Sequence, residues 1–106
     1  MDIRIGTELR DEYKRLEVAR GALKFMRDFL LAKPGENVVI TYDTCVDERV
    51  VSALAQATYA LDAVPTVIYS PTQKAFYGAA TPARPLCEAI AVADLWVELS
   101  YGSIMH

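Results

Sequence analysis

The chain has 106 residues, 11 basic and 14 acidic side chains, a formal charge of −3, two Cys and a single His. Just over half of the residues are apolar and about a quarter are charged (53% and 24%), which excludes a disordered chain and bounds the fold to one small domain. The acidic balance argues against a phosphate-backbone partner, so no nucleic acid is expected. The charge-dense start, MDIRIGTELRDEYKRLE, is not a signal peptide, and no apolar run is long enough for a membrane span. Cys45 and Cys87 lie 42 positions apart, giving neither a disulfide framework nor a zinc spacing. These features together predict a cytoplasmic protein.

Charge is concentrated in residues 1–36, which carry eight Lys/Arg and seven Asp/Glu against three and seven in the rest. That segment reads as one long amphipathic helix over about 7–32. Leu9, Tyr13, Leu16, Ala19, Leu23, Met26 and Leu30 recur at steps of three or four, and Ala22, Phe25 and Phe29 widen the stripe. Thr7 is placed to cap the helix and Pro34-Gly35 to stop it.

The β-branched run 37–42 predicts a strand covered on both faces. Asp43-Thr44 ends it and is placed to cap a helix carrying Val46, Val50, Val51, Leu54, Thr58 and Leu61. A second strand is expected over 65–69, a loop over 71–82, a third helix over 82–93 with Cys87 in its core, and a third strand over 95–99, followed by a turn at 100–103. The pattern is α/β: a three-layer unit with a small, mostly parallel sheet of three or more strands and a long N-terminal helix.

Ligands of open α/β sheets bind beyond the carboxyl ends of the strands. Here those ends are Asp43-Thr44-Cys45, Ser70-Pro71-Thr72 and Ser100 through His106, which nominates Asp43, Thr44 and Ser103 for substrate binding. Asp43 lacks the acidic companions of a magnesium-dependent phosphoacceptor. Cys45 lacks a phosphatase cradle, since Cys-x5-Arg would need Arg where Val51 stands. There is no Gly-x-Gly-x-x-Gly, Walker loop or Gly-x-Ser-x-Gly. Asp94 and Glu98 read as strand-edge or solvent-facing charges, and Tyr42, Tyr69 and Tyr101 as packing or pocket residues. His106, just past the third strand, is the group suited to proton transfer near neutral pH, and no metal-ligand pattern surrounds it.

Four segments carry a family resemblance. Residues 33–44, KPGENVVITYDT, look like the opening Lys-Pro-Gly-Glu, strand and Asp-Thr of the metal-dependent enzymes that include the leucyl aminopeptidase T-like proteins and 2,5-dihydroxypyridine dioxygenase. Residues 47–57, DERVVSALAQA, resemble the next helix of that superfamily, and 91–99, AVADLWVEL, are similar to its Ala-Asp-strand segment. Residues 103–106, SIMH, look like the stretch after that strand in the dioxygenases. The likeness spans about residues 15–106.

The resemblance implies an N-terminal α/β domain, here 1–106, of a longer two-domain enzyme. The second domain would hold the divalent metal, Fe2+ in the dioxygenase reading or Zn2+ or a similar ion in the aminopeptidase reading, with no ligand in this segment. His106 matches the His that acts as acid/base on the substrate. The implied partners are that metal-binding domain and a small-molecule or peptide substrate. A homo-oligomer is also expected. Two other classes stay open: a stand-alone small-ligand module, and an oligomerisation domain acting through the long helix.

Overall fold

In the computed structural model, residues 5–71 and 84–99 are described, with side chains in the first helix from residue 14 onward. Helix α1 spans Ile5–Lys24 and runs directly into a π-helical turn, Phe25–Phe29. Strand β1 is Asn37–Asp43, helix α2 Glu48–Ala60, strand β2 Val64–Ser70, helix α3 Arg84–Ala91 and strand β3 Leu95–Leu99. The unit is α/β, as expected. The three strands form a parallel sheet in the order β2-β1-β3.

Two expected boundaries change. Thr7 lies inside α1 rather than at its cap, because the helix already includes Ile5. The helical stripe also does not continue evenly. The π-turn adds a residue to the repeat, with the Leu30 N–H donating to the Phe25 carbonyl at 2.9 Å. Met26 and Ala22 are buried, whereas Leu16, Ala19, Phe25 and Phe29 are exposed. Leu31, at φ 55°, holds the left-handed position that ends the helix, and the Ala32 N–H donates back to the Met26 carbonyl at 2.9 Å.

The central strand organises the packing. Val38 and Ile40 are fully buried and sit in register with Leu95 and Val97 of β3. Paired residues of parallel strands share a face, so these four line one side of the sheet. Ala22 and Met26 of the first helical segment and Val51, Leu54 and Ala57 of α2 cover that side. On the other side Val39, Thr41 and Asp43 are also buried, so β1 is covered on both faces as its apolar run requires.

The β2–α3–β3 crossover returns across β1. Leu86 is the buried side chain of α3, while Cys87, expected in its core, is exposed. The segment 35–37 meets the loops before the neighbouring strands. The Gly35 N–H donates to the Asp62 carbonyl and the Val64 N–H to the Glu36 carbonyl, each at 2.8 Å. Gly35, at φ 81°, supplies the left-handed turn that brings the chain there. Among the described residues no helix is long and apolar enough to cross a membrane.

Candidate functional site at the carboxyl edge of the sheet

The strand order creates a topological switch point. From β1 the chain goes to α2 and β2 on one side, and β3 lies on the other. The crevice outside the carboxyl ends of β1 and β3 is where ligands of open α/β sheets bind. Asp43, Thr44 and Cys45 leave β1 at this edge. Leu99 is the last residue of β3, paired through Tyr42↔Leu99, and the sequence beyond it carries Ser103 and His106. Those two candidates, with Thr72 and Tyr101, lie outside the described residues. Asp43 and Thr44 are thus the two candidates of the nominated set that the structure places.

Asp43 is 2% exposed. Its Oδ1 accepts the Cys45 N–H at 3.0 Å, and the Asp43 carbonyl accepts the Val46 N–H at 3.2 Å. The carboxylate therefore shapes the turn that follows β1, and Thr44 and Cys45 are presented on the surface of that turn.

The expected helix cap is corrected. Asp47, not Asp43-Thr44, caps α2: its Oδ1 accepts the Arg49 N–H at 2.9 Å. Asp43 is four residues too early, its oxygen already turned onto Cys45. The Arg49 side chain closes on the same carboxylate, with Nη2 to Oδ2 at 2.8 Å. The Arg49 side-chain hydrogen bond, then its backbone N–H, hold the Asp47 carboxyl down at about 2. Sequence reasoning looked for a phosphate-cradling Arg at the position of Val51, and it passed over Asp47 as a cap. The signal was available, since Asp47 immediately precedes an apolar-periodic run.

Tyr42 and Tyr69 meet near the same edge, their ring centroids 4.8 Å apart at 50°. Burial raises the Tyr42 phenol above its ordinary range, with the Glu48 carboxylate and Tyr69 adding to the shift. The phenol is a hydrogen-bond donor at neutral pH, next to the first turn of α2.

Asp94 works at the opposite end of the sheet. Its Oδ2 accepts the Asn37 N–H at 2.7 Å, and its own N–H donates to the Asn37 carbonyl at 2.9 Å. It clips the start of β3 to the start of β1, a structural duty. Among the described residues no group of three or more His, Cys, Asp or Glu is placed to hold a metal ion. Asp43 is buried in its turn and Asp47 is held by Arg49. Compared with known proteins, the chain matches no family model, no curated protein and no solved structure.

Proposed function

We propose that this chain is the N-terminal α/β unit of a metal-dependent enzyme of the type it resembles, binding a small cyclic substrate at the β1/β3 switch point. The supporting observation is the parallel order β2-β1-β3. It sets Asp43 and Thr44 beside the end of the strand from which the chain leads on to Ser103 and His106. In this reading Thr44 and Ser103 contribute hydroxyls to the substrate, Asp43 holds the turn that presents Thr44, and His106 moves a proton on the substrate. The divalent metal is held by residues of a second domain, and a cytoplasmic setting suits the exposed thiols of Cys45 and Cys87.

The probe is 2,5-dihydroxypyridine titrated into the isotopically labelled chain. Amide shifts concentrated at Thr44, Cys45 and Leu99 and in 100–106 are expected, and they should weaken in His106→Ala. Shifts elsewhere, or none at millimolar probe, would remove the reading. In the protein joined to its metal-binding domain, His106→Ala is expected to lower kcat at unchanged metal content.

A further inference from the structure

We draw no further inference here: the strongest candidate, the apolar groove between the first helical segment, α2 and β3 that is lined by Val18, Ala22, Phe25, Leu54, Val97 and Leu99, carries nothing because nothing in the structure shows what covers it.

Discussion

Strands β1 and β3 lie side by side in one sheet, and both are rich in β-branched and large apolar residues, yet they are buried very differently. From Val38 to Thr41, β1 is at most 5% exposed, with neighbours on both edges and cover on both faces. Strand β3 has one strand neighbour among the described residues, and only Val97 is buried. Where a strand sits in the sheet, more than what it is made of, sets what its side chains contribute. The sealed strand carries stability, and the open one offers a surface.

The largest test of that difference is a pair of truncations. Ile40→Ala, at the fully buried centre, is expected to cost about 3 kcal/mol, enough to remove much of the stability of so small a domain. Phe29→Ala, on the open side, should stay within about 0.5 kcal/mol when urea melts are run at low protein concentration. Equal losses would show that the open side is as well packed as the centre.

A smaller effect sits where the two strands are joined. Trp96 Nε1 donates to Thr41 Oγ1 at 3.0 Å, linking the exposed strand to the sealed one on the face away from the main core. Thr41→Val should cost about 1 kcal/mol and change the Trp96 emission, because it leaves a partly buried indole donor without its acceptor. An unchanged spectrum would mean that the bond does not hold the ring.

The end of the first helical segment gives a change of opposite sign. Leu31 is 60% exposed and adopts φ 55°, a conformation that costs a residue with a Cβ about 1 kcal/mol. Leu31→Gly should therefore raise the denaturation midpoint by a fraction of that amount, the rest being offset by unfolded-chain entropy. A lowered midpoint would indicate that the Leu31 side chain contributes more than its exposure suggests.

The smallest effect is electrostatic. The Asp47 carboxyl lies below its unfolded value of 3.8, so its contribution is present above that pH and is lost as pH falls from 3.8 toward about 2. Asp47→Asn, which keeps a capping oxygen but no charge, should flatten that part of the acid unfolding curve and leave neutral-pH helicity close to wild type. A curve identical to wild type would assign the acid limb to other carboxylates. Because the Asp47–Arg49 pair is exposed, the effect at neutral pH is small.

The element order was legible because the periodicities are strong. The run 37–42 could be read as a strand covered on both faces, and Asn37–Asp43 is that strand. The candidate site was legible as a place rather than as a set of contacts. The strand-end rule pointed to Asp43 and Thr44, but it could not tell that the Asp43 carboxylate turns onto the Cys45 N–H while Asp47 takes the cap. Both are Asp residues near a helix start, and the choice depends on where the first helical turn begins. Cys87 was misjudged for a related reason. An apolar helix predicts a buried side, but which residues of α3 occupy it depends on how the helix lies on the sheet.

By itself the sequence determined the α/β class, the three described strands, the break at Pro34-Gly35 and the placement of Asp43 and Thr44 just past β1. These follow from local periodicity and turn chemistry, which act over a few residues. Tertiary structure alone decided that β1 lies between β2 and β3 among the described strands, that Phe25 and Phe29 are exposed at a π-turn, and that Asp94 clips Asn37 across the sheet. Those outcomes depend on contacts between residues far apart in the chain, where burial and hydrogen-bond satisfaction are settled between elements rather than within them.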